Sequence, residues 1–322
     1  MTIELELQIT DAPLAEHFDL LVVALGYEER SIHVARTYGH TATRKAALAF
    51  GSNQTLSYGS NAVELEALGF DLIPIKDEVG AQINELVRQL SETERSIGID
   101  VSSFTRLQLA QIVEVFVEPV RRPLSVDFLY APAQSGGWDT VAGPIMVAHP
   151  IHPAFTSWTD DPARPLAALV GVGVEDNLAL GVAEFLDVSS VYAFVPIGGD
   201  PGFDALNEAA NHDFLGTSYV VHRADYDLRH PFELFTRLES LVYGIAPDTR
   251  VAIVPLGPKL FALCGLLATA VSNRSATVWR FSWSGSAEPA DRKAAGPISS
   301  LRVERGSITR SSQERDNPNS PE

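Results

Sequence analysis

Two stretches decide the fold: LLVVALGYEERS at residues 20–31 and AALVGVGVEDNL at residues 167–178. Each is an apolar run of strand length that ends in Gly-x-Glu-acid, as Gly26-Tyr27-Glu28-Glu29 and as Gly173-Val174-Glu175-Asp176. A continuous apolar run, unlike an alternating one, belongs to a strand covered on both faces. The glycine at its end lets the backbone turn tightly, and the acids that follow suit the first turn of a helix. Meeting the same design twice in one chain points to an internal duplication.

Working outward, each stretch is followed by four more short apolar runs. In the first half, strands are predicted at 20–25, 46–50, 71–75, 97–101 and 125–130, and helices at 31–38, 62–68, 79–90 and 106–116. In the second half, strands are predicted at 166–172, 191–196, 218–222, 250–255 and 277–281, and helices at 176–186, 203–214, 231–243 and 259–271. Alternating strands and helices give a parallel sheet with right-handed crossovers. The fold class expected is therefore α/β, with two tandem Rossmann-like, doubly wound parallel sheets related by internal duplication.

The organisation that follows is a first half over 1–132, a connection over 133–165, a second half over 166–284 and a tail over 285–322. The first half opens on an alternating strand carrying Ile3, Leu5, Leu7 and Ile9. The connection is rich in Gly, Pro, Trp and His, and its Trp138, Phe155 and Trp158 are costly to leave in water, so it should pack across the junction of the halves. The tail has the Ser, Pro, Arg and Glu composition of a disordered segment, relieved by one patch at 298–308 that suits an edge strand.

Composition excludes several classes. The chain has 322 residues, is 45% hydrophobic and carries a formal charge of −17. An acidic surface of that size argues against an extended nucleic-acid or membrane footprint, although a local basic pocket remains able to hold an anion. Cys264, the single cysteine, lies in an apolar run, where a buried inert thiol is expected; neither a disulfide framework nor a thiolate zinc site is available within the chain. His149 and His152 are three apart, but their flanking prolines prevent the helix that would align them, and no metal site is expected. No run reaches the roughly 20 apolar residues of a membrane span, and the N-terminus lacks the pattern of a secretion signal, so a cytoplasmic location is expected.

In open parallel sheets, ligands sit beyond the carboxyl ends of the strands, near helix starts whose N–H groups attract anions. The first half places Gly26, Glu28, Glu29 and Arg30 at one such end and Asp100, Ser102, Ser103 and Arg106 at another. The second half places Gly173, Glu175 and Asp176, then Gly198, Gly199 and Asp200, then Gly257 and Lys259. Each group has a plainer reading. The acid pairs complement a helix dipole, Gly-Gly-Asp-Pro is an ordinary turn, and Ser103 or Thr105 caps a helix. Read as a site, Arg106 and Lys259 neutralise phosphate, the serines offer hydroxyls, and Glu28 and Glu175 face each other across a cleft to take sugar hydroxyls. No P-loop is present, and the series begun at Gly171-Val172-Gly173 meets Asp176 where a dinucleotide fingerprint needs its last glycine, so no cofactor is expected.

The segment VAIVPLGPKLFALCGLL at 251–267, set against IGIDVSSFTRLQLAQIV at 97–113, resembles the fourth-strand motif of CARF domains, in which a small turn and a basic residue open a helix. Two such units in one chain resemble the SAVED arrangement, which senses cyclic oligonucleotides in bacterial antiphage systems. The motif positions are Ser102, Ser103, Arg106, Gly257 and Lys259, with Pro258 where the family carries threonine. The resemblance implies a sensor or regulatory subunit that binds a phosphate-bearing ligand, a nucleotide or cyclic oligonucleotide, between pseudo-symmetric halves and answers to a protein partner. The alternative is an enzyme acting on a nucleotide or phosphosugar, with Glu28, Asp100 and Glu175 as its acid–base groups.

Overall fold

The computed structural model describes residues 7–306, apart from 53, 77, 94, 119–122, 135, 137–144, 158–160, 199, 274 and 284–288. The first half runs β1 (Leu7–Thr10), β2 (Phe18–Leu25), α1 (His33–Tyr38), β3 (Ala42–Ala49), α2 (Tyr58–Ala67), β4 (Asp71–Pro74), α3 (Val79–Arg88), β5 (Ser96–Asp100), α4 (Arg106–Val117) and β6 (Leu124–Tyr130). After β7 (Ile145–Pro150), the second half runs β8 (Leu166–Gly171), α5 (Leu178–Phe185), β9 (Ser190–Ile197), α6 (Pro201–Leu215), β10 (Val220–Asp227), α7 (Pro231–Ile245), β11 (Arg250–Pro255), α8 (Lys259–Val271) and β12 (Thr277–Trp283), with β13 (Ser299–Arg305) last.

The strand orders repeat. The first sheet contains β4-β3-β2-β5-β6 and the second β10-β9-β8-β11-β12, so each half orders its five strands third, second, first, fourth, fifth. All these pairings are parallel. The duplicated stretches form the central strands β2 and β8, which explains their continuous apolar character. The chain is thus an α/β protein of two tandem Rossmann-like halves.

Each sheet is completed by the other half. Strand β7 follows β6 in the chain but pairs antiparallel with β12, whereas β13 follows β12 but pairs antiparallel with β6. Where the two passages cross they pair with each other, through a bridge between Ala133 and Ala294, Gln134 N–H to Lys293 O (2.9 Å) and Ala295 N–H to Pro132 O (2.8 Å). The expected disordered tail is corrected here over 299–305: β13 is no edge but lies between β1 and β6. Composition misread it because the strand alternates. Leu301 and Val303 are buried, and the polar residues have partners, Arg302 in a bidentate pair with Asp127 (2.9 and 2.8 Å) and Arg305 donating to Phe116 O. The connection is likewise partly strand, and its Phe155 is fully buried; Trp138, Trp158 and the tail beyond 306 lie outside the described residues.

One apolar cluster joins the halves. It takes Leu20, Val22, Ile97, Ile99, Leu301 and Val303 from the first sheet and Leu169, Phe194, Val251, Ile253 and Val278 from the second, with α3, α4, α7 and α8 between them. Every residue from Leu260 to Thr269 is buried, so α8 is apolar all round, as a central helix must be. Each of its large side chains contributes about 1.5 to 3 kcal/mol. Helices α1 and α2 cover the outer face of the first sheet, and α5 and α6 that of the second. Cys264 sits in this interior, where burial pushes its thiol well above the usual range. Among the described residues no helix is long and apolar enough to cross a membrane.

Candidate functional site

The basic residues Arg106 and Lys259 open α4 and α8, equivalent helices of the two halves. A cation in a first helical turn opposes the macrodipole, so each gains by reaching away from its own helix. Both reach into the other half. Arg106 donates from Nη2 to the carbonyls of Leu256 (2.8 Å) and Gly257 (2.6 Å), and Lys259 donates from Nζ to the carbonyl of Ser102 (2.6 Å). The turn that carries these carbonyls is packed tightly within its own half, since a Cβ at Gly257 would lie 2.0 Å from Val172 O. Thr105 caps α4 in a capping box with Gln108, so the plainer reading of that threonine holds.

The strand-end loops are held by asparagines at matching places. Asn61 on α2 donates to the carbonyls of Gly26 (3.0 Å) and Glu28 (2.9 Å); Asn207 on α6 donates to Gly173 O (3.0 Å), joined by Asn211 (2.7 Å). All three are buried. These loops bring Glu28 into the field of Lys259 and Glu175 into that of Arg106, a carboxylate from each half meeting the cation of the other.

A cleft of about 380 Å³ opens at this junction. Its walls are Gly26, Tyr27 and Glu28 after β2, Phe50, Ser52 and Tyr58 after β3, Ser103, Phe104, Thr105 and Arg106 after β5, Lys259 on α8, and Arg280, Phe281 and Ser282 from β12. Among the described residues of the lining, three cations thus face one carboxylate. That carboxylate is already engaged: Glu28 pairs with Arg30 (2.5 Å) and with Arg292 (2.9 Å). Burial opposes its ionisation, but Arg30, Lys259 and Arg292 outweigh burial and hold it below the ordinary range. The Arg280 backbone pairs with β7, but its guanidinium makes no hydrogen bond or ion pair with a described residue, and the buried atoms Ser103 Oγ and Arg106 Nε have no partner there. An unpaired buried donor costs about 1 to 3 kcal/mol, which an incoming acceptor relieves.

Beneath the cleft, Asp100 is fully buried and its carboxyl is pushed up to about 6, chiefly by desolvation. It accepts from the backbone N–H (2.9 Å) and hydroxyl of Ser102, whose Oγ in turn accepts Ala131 N–H (2.8 Å). Lys259 is pushed down to about 7, first by burial and then by Arg30, with Glu28 opposing.

The expected residues separate. Gly26, Glu28, Ser103, Arg106 and Lys259 line the cleft, with Gly257 bonded to Arg106 just behind. Ser102 does not line it, because its hydroxyl is consumed by Asp100 and Ala131. Arg30 is buried on Glu28 and Ala131 O, and Glu29 and Asp176 do not line the cleft. Glu175 is half-buried and lies outside the lining, as does Gly173, so the two glutamates do not share one cleft. Asp200 caps α6, and Gly198 takes a left-handed turn against Asp227, so that loop serves as a turn away from the cleft; Gly199 lies outside the described residues. His149 is exposed on β7 and His152 caps a turn, and the described residues contain no cluster of metal-ligating side chains.

Sequence reasoning missed Arg280, Arg292, Asn61 and Asn207. Arg280 had a signal, a charge inside the apolar run of β12. Asn61 lay just outside the predicted helix, and Arg292 lay in the segment assigned to disorder.

No protein family and no curated protein matches the chain. Among solved structures, it is similar to the cytoplasmic domain of a prokaryotic cation chloride cotransporter, with 9% identity, 85% of this chain and 97% of that chain covered, and a TM-score of 0.25. A likeness at that level carries nothing about function.

Proposed function

We propose that the protein is a nucleotide-binding sensor or regulatory subunit that holds a phosphate-bearing ligand in the junction cleft. The observation that carries this reading is local charge reversal. In a chain of formal charge −17, Arg106, Lys259 and Arg280 line one cleft in which Glu28, the one carboxylate among the described lining residues, is neutralised by Arg30 and Arg292. Guanidinium groups suit bidentate phosphate contacts, and Ser103 adds a hydroxyl. Phe50, Tyr58 and Phe281 offer flat faces for a base. The volume is at the low end of the roughly 300–1,000 Å³ of small-molecule sites and suits one nucleotide unit, free or within a cyclic oligonucleotide.

Sensing is favoured over turnover by what the carboxylates do. Glu28 is held ionised between two arginines and Asp100 is sealed beneath Ser102, so neither carboxylate is free for acid–base work at the cleft. The CARF and SAVED resemblance agrees with such a role, in which the cross-half contacts of Arg106 and Lys259 would transmit occupancy to a protein partner. The test is a thermal-shift panel of nucleotides that includes cyclic oligonucleotides, with chromatography of the ligand after incubation. A nucleotide that raises the melting temperature and returns unchanged supports the sensor. One that returns altered makes the protein an enzyme, and no shift across the panel sinks the reading.

A further inference from the structure

The exchanged C-terminal passage sets three consecutive residues on the loop after β2. Asp291 accepts Glu29 N–H (2.7 Å) and the hydroxyl of Ser57 (2.5 Å). Arg292 accepts Arg30 N–H at its carbonyl (3.0 Å) and donates from Nη1 to Glu28 Oε1 (2.9 Å). Lys293 lies 3.8 Å from Glu29. None of the three lines the cleft, yet one of their targets does. Glu28 is the one carboxylate among the described residues of the lining, and Asp291 anchors the passage beside it on Glu29 N–H and Ser57 Oγ.

We infer that Arg292, with Asp291 beside it, is a positioning residue of this cleft: by holding the Glu28 carboxylate it leaves Lys259 to a bound anion. The charged groups acting on Lys259 are Glu28 and Arg30 from the loop after β2, Asp100 from β5 and Arg106 from α4. Of these, Glu28 is the anion that lines the cleft beside Lys259, so it competes directly with a phosphate. Arg292 is the partner of Glu28 that arrives from the other end of the chain. Asp291 holds the passage in place there, accepting from Glu29 N–H and the Ser57 hydroxyl. The C-terminal passage therefore completes the site as well as the sheet. This inference rests on the anion-cleft reading above.

The experiment is a calorimetric titration of the full chain with inorganic pyrophosphate, comparing wild type, Arg292→Met, Glu28→Gln and the double variant. Arg292→Met is expected to weaken pyrophosphate about tenfold when Glu28 is present and less than about twofold in the Glu28→Gln background, because contacting residues couple and distant ones do not. An equal loss in both backgrounds, or no loss, overturns the inference. Should the methionine variant not fold, Arg292→Lys retains the affinity and Arg292→Gln loses it if the inference is right.

A second readout needs no ligand and separates this inference from the function it rests on. Lys259 is one of four lysines, so its methyl-labelled amine is assigned by comparison with Lys259→Met and its titration followed by NMR. Releasing Glu28 by Arg292→Met should move that titration upward. If pyrophosphate fails to bind wild type but the titration moves, the anion-cleft reading falls and the positioning role stands. An unmoved titration overturns the positioning role itself.

Discussion

Lys259, which donates to the carbonyl of Ser102, and Asp100, which accepts from its N–H, respond to pH in opposite directions. The folded state holds Lys259 near 7 against an ordinary 10.5, so the unfolded chain binds more protons between those values and stability rises with pH across that window. Lys259→Met removes the titration; relative to the variant, wild type should gain about 1 to 3 kcal/mol between about pH 6 and about pH 9. Asp100 is held near 6 against an ordinary 3.8, so here the folded chain binds more protons and stability falls as pH rises through that window. Asp100→Asn should therefore gain on wild type by about 1 to 3 kcal/mol between about pH 4 and about pH 7. Denaturant melts of both variants at paired pH values check the signs, and a matching slope for both would refute the burial of these charges.

At the scale of elements, the strands and helices were legible where period and burial agree. The predicted strand at 250–255 is β11 and the predicted helix at 259–271 is α8, because continuous burial leaves an uninterrupted apolar run. Strand β7 escaped, and β13 was legible only as an edge strand in the patch at 298–308, because its exposure alternates and its arginines find their partners, Asp127 and Phe116 O, only across the chain crossing. The cleft was half legible for the same reason. Glycine-bearing turns and helix-opening cations stand out locally, whereas Arg280 and Arg292 acquire meaning only once two distant segments meet. The loop after β11 offers a sharp test. Gly257→Ala would drive a Cβ to 2.0 Å from Val172 O and should cost about 2 to 4 kcal/mol and the cross-half bond of Arg106. Gly181→Ala in α5, where the added Cβ meets nothing, should instead stabilise by about 0.5 to 1 kcal/mol. Thermal melts of the two variants should shift in opposite directions.

Over the whole molecule, the two halves do not stand alone. Each sheet borrows a strand from the other half's passage, one apolar cluster spans both, and α4 and α8 exchange polar contacts at their first residues. Unfolding should accordingly be one cooperative transition, with calorimetric and van't Hoff enthalpies agreeing, and truncation before β13 should abolish it for both halves. Two separable transitions would contradict the exchange. The same geometry places the cleft at the junction, so its central claim is tested most directly by calorimetric titration of nucleotides into wild type and Arg280→Ala at low and high salt. Saturable binding should weaken with salt and be lost in Arg280→Ala, the cleft cation whose side chain has no partner among the described residues. Binding that is indifferent to Arg280→Ala, or absent from wild type, would contradict it.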